Sequence, residues 1–357
     1  MIYIYLLLEI FFLISFITFC INKRFSKILL LFSLLILILF LSFKEGFYYD
    51  FINYKNMFEH VSIENNSIYP EITYVVLSLL IRSLNLDFYW LQFLYYSISI
   101  LFIYKGFRKV SLSVELSFLL FLLIPIFFLS GYIAMRQFLA LSLFFFGTVL
   151  YILERKKIGI IYILISILFH YSTFLAVILI FAFQKILQKK YNILLYILFI
   201  FISFCFVSLS KLFWDYILSF LNLIPVTQNY SKYLIHLDEY NVVRVILYTF
   251  LYMLILTIFF ISNVSTEKTV VLLNLYTIGE MFTVLGGFSM NINRFANYFL
   301  IFMIPLIVNL IIGKNHIPKY FKIIILLSFI IILSVYYYIG ILKIPDVFLD
   351  YKNILVE

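Results

Sequence analysis

Residues 112–153 read LSVELSFLLFLLIPIFFLSGYIAMRQFLALSLFFFGTVLYIL and lie between two basic stretches, YKGFRKV (104–110) and ERKK (154–157). About 20 apolar residues in a helix cross about 30 Å of hydrocarbon, so this run is too long for one crossing and suits two. It divides into Leu112–Leu129 and Gln137–Leu153, a pair that leaves one side of a membrane and returns to it. Between them stands Arg136, a permanent cation at the mouth of an apolar helix, where a lipid-facing position disfavours it.

The same pattern fills the chain. Of its 357 residues 65% are hydrophobic and 12% are charged, too few charges to cover a water-facing surface. Apolar runs of about 17 to 22 residues recur from end to end, and the reading is an all-α polytopic membrane protein, a single transmembrane domain over 1–357. The first run, MIYIYLLLEIFFLISFITFC, has neither a basic leading region nor a small-residue cleavage site and is read as a span. Cys20 and Cys205 lie inside apolar runs and are expected as buried small fillers with no disulfide between them.

The formal charge of +9 is concentrated in short loops: NKRFSK (22–27), YKGFRKV, ERKK, QKILQKK (184–190) and GKNHIPKYFK (313–322). Such loops mark the cytoplasmic side of a membrane protein, and nucleic acid is set aside as a partner. Keeping all five inside requires an even number of spans between each pair. Four fit between 191 and 312: Asn192–Phe213, Val242–Ser262, Val270–Leu285 and Phe295–Ile312. Ile158–Phe183, about 26 residues, is too long for one untilted span and is broken at His170 into a hairpin. Ile28–Phe43 and Phe88–Tyr104 are single spans. The short Ile72–Leu86, carrying Arg82, is left as a re-entrant or interfacial helix. The result is about twelve spans, both termini outside, and two outer loops, about 44–71 and 214–241, rich in Tyr and Asn. Such faces offer sugar rings flat apolar contact together with hydrogen bonds, although Tyr also belts membrane interfaces.

With this topology the unusual polar residues fall on the outer side. Asp50 and Tyr54, spaced i, i+4, share a face if their loop is helical. Glu71 ends the first loop. Arg136 and Arg294 begin spans, as does Arg244 after the second loop, and His170 sits at the hairpin tip. Arginine presents a planar, permanently charged fork that fits phosphate oxygens, and several can hold a diphosphate and stabilise its departure. A carboxylate or imidazole nearby can take a proton from an attacking hydroxyl. The set fits group transfer from a lipid diphosphate better than solute transport. Plainer readings stay open: an arginine near a helix end also snorkels to headgroups, a histidine also bonds between helices, and a loop acid is also solvated. Glu115 and Glu9 fit pairing with basic loops or helix ends; Glu280, well inside its run, is a costly mid-span acid that pairs with an arginine or lines a cavity. The histidines at 60, 170, 236 and 316 have no metal-ligand spacing, and neither a P-loop nor GxGxxG occurs. No metal, cofactor or nucleotide donor is expected, so a transferred sugar would arrive on a lipid.

The ordered series YYDFINY, YPEITYVVLSLL, YIAMRQFLALSLFFFG, ERKK, ILFHYSTFLAVIL and NRFANYF, over about residues 45–300, resembles Wzy-type bacterial polysaccharide polymerases of the EpsG-like group. The resemblance aligns that family's residues with Asp50 and Tyr54, Arg136, His170 with Ser172, and Arg294 with Tyr298; the loop 214–241 matches no part of the pattern. It implies a glycosyltransferase at the outer face of the bacterial inner membrane. The growing glycan would pass from undecaprenyl diphosphate to the non-reducing end of a lipid-linked repeat unit. Donor and acceptor would both be undecaprenyl-diphosphate-linked oligosaccharides, with a chain-length regulator as a further partner. On this reading Arg136 and Arg294, with Arg244 a third, bind the donor diphosphate. His170, or else Asp50 or Glu71, serves the acceptor hydroxyl, and Tyr54 and Tyr298 contact glycan. An O-antigen ligase is the nearest alternative; a repeat-unit flippase and a membrane O-acyltransferase are more distant ones.

Overall fold

The computed structural model describes residues 2–45, 49–61, 71–222, 242–263, 266–288, 290–314, 316–343 and 352–353. Nearly all of them are helical. Five of these helices are long and apolar enough to cross a membrane, or six if one bent pair counts as a span, and shorter apolar helices of 10–17 residues accompany them. Large apolar side chains face outward along them, among them Leu31, Phe32 and Leu35, Phe201 and Ile202, and Ile324, Leu327 and Ile331. Water would not tolerate so continuous an apolar coat, whereas lipid does. The protein is an all-α membrane protein.

Contacts divide the chain into two compact units. The first holds Met1–Ile180, Ile311–Gly313 and Pro318–Glu357; the second holds Phe181–Leu310 and Lys314–Ile317.

In the first unit α1 (Ile2–Ile21) and α2 (Lys23–Ser42) form a hairpin turned at Asn22, whose side chain accepts from the Arg24 and Phe25 amides and so caps α2. A two-residue strand β1 (Lys44–Glu45) follows, then α3 (Tyr49–His60), α4 (Ile72–Ser83) and α5 (Phe88–Val110). Asp50 and Tyr54 are thus on one helix, as their spacing anticipates. Next come α6 (Val114–Leu123), α7 (Pro125–Ile133), α8 (Met135–Thr148) with a π-helical end at Val149–Leu153, α9 (Ile158–Phe169) and the start of α10 (Thr173–Leu187). The break expected at His170 is present between α9 and α10.

Helix α8 is the centre of this unit and is buried along its whole length apart from Arg136, which is half-buried. It packs on α5, where Phe145 meets Phe107, and on α9, where Gly147 and Gly159 touch. A Cβ on Gly159 would lie 2.5 Å from the Gly147 carbonyl oxygen, so these helices approach more closely than side chains permit.

The expected span Leu112–Leu129 is corrected. The chain folds as α6 and α7, bent by 78° at Ile124–Pro125. Proline lacks the amide that would continue the helix and disfavours helical backbone in the residue before it; Ile124 is accordingly extended. Glu115 is buried at the start of α6, accepting from Ser26 and Ser113 hydroxyls, each at 3.0 Å, a helix-end role. Among the described residues Cys20 and Cys205 are free, but both are exposed and not buried as expected. In an apolar solvent a small apolar side chain needs no burial, which the periodicity alone did not reveal.

In the second unit the chain finishes α10 and continues as α11 (Ile193–Asn222), α12 (Val242–Ser262), α13 (Glu267–Leu285), α14 (Met290–Leu300) and α15 (Met303–Ile312). Helix α11 runs nine residues beyond the expected Phe213, into the region read as the second outer loop; 223–241 lie outside the described residues. The last expected span starts at Met290 and is interrupted at Ile301–Phe302; Pro305 removes the amide that Ile301's carbonyl would otherwise accept from. Helix α13 packs on α11, α12 and α14, and Gly279 lets α14 approach so closely that a Cβ there would meet the Leu300 nitrogen at 2.7 Å. The chain then returns to the first unit as α16 (Lys319–Lys343), which packs on α6 and α7, and β2 (Lys352–Asn353), antiparallel to β1.

Candidate functional site

Four elements of the first unit meet around one carboxylate. Glu71 occupies the capping position before α4 in extended backbone, but its side chain does not cap the helix. It turns instead toward α8 and α9 and is 2% exposed. Arg136, in the first turn of α8, donates from Nη1 to Glu71 Oε2. His170 ends α9 in extended backbone and brings Nδ1 to 2.9 Å from Glu71 Oε1. Both carboxylate oxygens are therefore engaged, one by a guanidinium and one by an imidazole.

The rest of the site holds those three groups. The Arg136 guanidinium lies over two rings, Tyr54 of α3 at 4.8 Å and Tyr74 of α4 at 5.5 Å. Such contacts contribute about 0.5–2 kcal/mol each, more as water is excluded. The Tyr74 hydroxyl donates to the Tyr54 carbonyl at 2.6 Å, tying α3 to α4. The Thr73 hydroxyl donates to the Leu168 carbonyl at 2.5 Å, tying α4 to the end of α9 beside His170. At the other end of α4, Arg82 donates to the Val61 carbonyl at 2.9 Å, while Asn85, in left-handed backbone at φ 57°, closes the helix. Tyr95 of α5 stands against Tyr74 and Phe169, with ring centroids at 6.4 and 6.0 Å.

This arrangement has two chemical consequences. A neutral histidine that donates from Nδ1 to a carboxylate presents its Nε2 lone pair as an acceptor. The His170 side chain is 28% exposed, against 3% for Glu71, so the imidazole is the member of the pair that a substrate can reach. Second, the site contains a buried donor that no protein acceptor serves. Among the described residues Arg136 Nε has no hydrogen-bond partner, and leaving such a group unmet costs about 1–3 kcal/mol. It suits an oxygen-rich ligand.

Asp50 lies in the first turn of α3, half-exposed, one turn before Tyr54. The structure thus gathers Glu71, Arg136, His170 and Tyr54 of the residues singled out from sequence. It adds Thr73, Tyr74 and Tyr95, which sequence reasoning passed over because a tyrosine or threonine in an apolar run reads as interface or filler.

Arg244, Arg294 and Tyr298 belong to the second unit. Arg244, near the start of α12, lies 5.8 Å from the Tyr248 ring. Glu280 of α13 is fully buried and accepts from the Thr249 hydroxyl at 3.0 Å. Arg294 is half-buried on α14, and Tyr298, one turn later, is fully buried against Phe295. Along the same helix face as Glu280, Thr277 meets the Tyr252 hydroxyl, and Asn274 bonds Tyr196 and the Leu187 and Lys189 carbonyls. Among the described residues no group of three or more His, Cys, Asp or Glu side chains is placed to hold a metal ion.

The family model for the EpsG family matches residues 27–353. No curated protein and no solved structure matches the chain. The chain belongs to the EpsG family, and with it to the polysaccharide-polymerase-like membrane glycosyltransferases.

Proposed function

We propose that this EpsG-family chain is a polysaccharide polymerase of about twelve spans in the bacterial inner membrane, with its termini and its site on the outer side. It transfers a growing glycan from undecaprenyl diphosphate to the non-reducing end of a lipid-linked repeat unit. The observation that carries the reading is the Glu71–His170 pair with Arg136 on the second carboxylate oxygen.

In this mechanism Glu71 fixes the His170 tautomer and ring orientation, as a carboxylate does for a catalytic imidazole. His170 Nε2 takes the proton of the acceptor hydroxyl. The hydroxyl oxygen bonds to the anomeric carbon of the donor as the bond from that carbon to the phosphate oxygen breaks, with inversion. The electron pair leaves on undecaprenyl diphosphate. Arg136 supplies the counter-charge to Glu71 and keeps further N–H groups for phosphate oxygen. Arg294 and Arg244 are assigned to donor diphosphate by the same guanidinium chemistry, and Tyr54 and Tyr298 to the glycan side. Asp50, at the start of α3, is the alternative acceptor-side acid.

The test is the surface glycan of a strain lacking this chain, complemented with His170→Ala. The expected result is a single capped repeat unit with no ladder, at normal protein level in the membrane. Polymer retained on undecaprenyl diphosphate would indicate a ligase, and absence of any displayed unit a flippase. A normal ladder in His170→Ala removes the imidazole from the reaction.

A further inference from the structure

The junction between α7 and α8 is held by a side chain to which the proposed reaction gives no part. At Ala134 the backbone leaves the helix, with φ −110° and ψ 72°. In an unbroken helix the Tyr132 carbonyl would accept from the amide of Arg136, four residues on. Here it takes two side-chain donors, Lys44 Nζ and, at 3.3 Å, the Tyr96 hydroxyl. Lys44 Nζ also lies 3.0 Å from the Tyr96 hydroxyl and 3.7 Å from the centre of the Tyr132 ring.

Lys44 is 1% exposed, an environment that a lysine nitrogen tolerates only when it is hydrogen-bonded. Its backbone is paired with Asn353 of β2, so the side chain starts from a fixed point. Burial pushes its pKa well below the usual lysine value; amine and ammonium alike donate to a carbonyl. The last carbonyls of a helix are its unpaired acceptors and carry its partial negative charge, which is where a lysine nitrogen is most effective. Two residues past Ala134 stands Arg136.

We propose that Lys44 is a positioning residue for Arg136: by capping the end of α7 it holds the break at Ala134, and so sets where α8 begins and where Arg136 meets Glu71. The functional half of this proposal rests on the reading of Arg136 given above; the capping half does not.

The variant Lys44→Met keeps the apolar stem and removes the donor. Hydrogen exchange of the purified full chain is the readout that a general packing role would not reproduce. Amides of 126–138 are expected to exchange about tenfold faster, the loss of roughly one buried hydrogen bond, while 158–187 stay unchanged. The glycan ladder is expected to be lost at normal protein level. Tyr96→Phe, which removes the second donor and keeps the ring, is expected to give the same local pattern at smaller amplitude, and serves if Lys44→Met does not fold. Faster exchange throughout the first unit, or no faster exchange at 126–138, overturns the cap. A local change with an intact ladder overturns the link to Arg136. An intact ladder in Arg136→Ala overturns the site reading instead, and the exchange pattern alone then decides the cap.

Discussion

Glu71 has no water to fall back on: at 2% exposure, its stability depends on Arg136 and His170. Removing one partner of a buried ion pair costs about 3–5 kcal/mol, because the remaining charge is left uncompensated, whereas removing both together is often nearly neutral. Glu71→Gln should therefore lower the melting temperature of the detergent-purified protein markedly. The double variant Glu71→Gln/Arg136→Gln should recover most of that loss and remain without polymer. If the two single effects simply add in the double variant, Glu71 and Arg136 are not energetically coupled. Arg136, His170, Glu71 and Tyr54 were visible in the sequence because a polar or charged group in or beside an apolar run demands a reason. Lys44, Thr73 and Tyr95 were not, since a lysine after a span looks like a solvated loop residue and only contacts across helices reveal its burial.

At the scale of the helix, Pro125 and Pro305 each interrupt a run that reads as continuous by hydropathy, and a separate break at Ala134 lets α8 start afresh with Arg136 in its first turn. The glycines act at the other end of the same helix. Gly147 and Gly159 bring α8 and α9 together about 16 Å along the axis from Arg136, at 1.5 Å per residue. A side chain at that point wedges the pair apart and changes the angle at which α9 delivers His170 to Glu71. Gly159→Ala is expected to destabilise the protein by about 1–3 kcal/mol, the usual cost of overpacking, and to shorten the glycan ladder. An unshifted thermal transition would show that the close approach is not required. Neither glycine announced itself in the sequence, where each is one small residue in an apolar run.

For the whole molecule, the basic loops make a prediction about sidedness that the fold alone does not. In a chain with Cys20 and Cys205 replaced by serine, Tyr171→Cys, beside His170, should react with an impermeant maleimide from outside intact cells. Lys157→Cys should react only after the membrane is opened. Both positions are exposed, so access is limited by the membrane and not by packing. Labelling of Tyr171→Cys only in opened cells would place the site on the inner side and end the polymerase topology.

The all-helical membrane class, the break at His170 and the family were already determined by the order of residues, because apolar length, loop charge and a spaced motif are properties of the chain read locally. What only the tertiary structure decided is that Glu71 joins Arg136 to His170 across separations of 65 and 99 residues, and that Lys44 reaches Tyr132 across 88. Hydrogen bonds between distant segments depend on how helices bend and how closely they pack, and in an apolar run a single proline or glycine sets both.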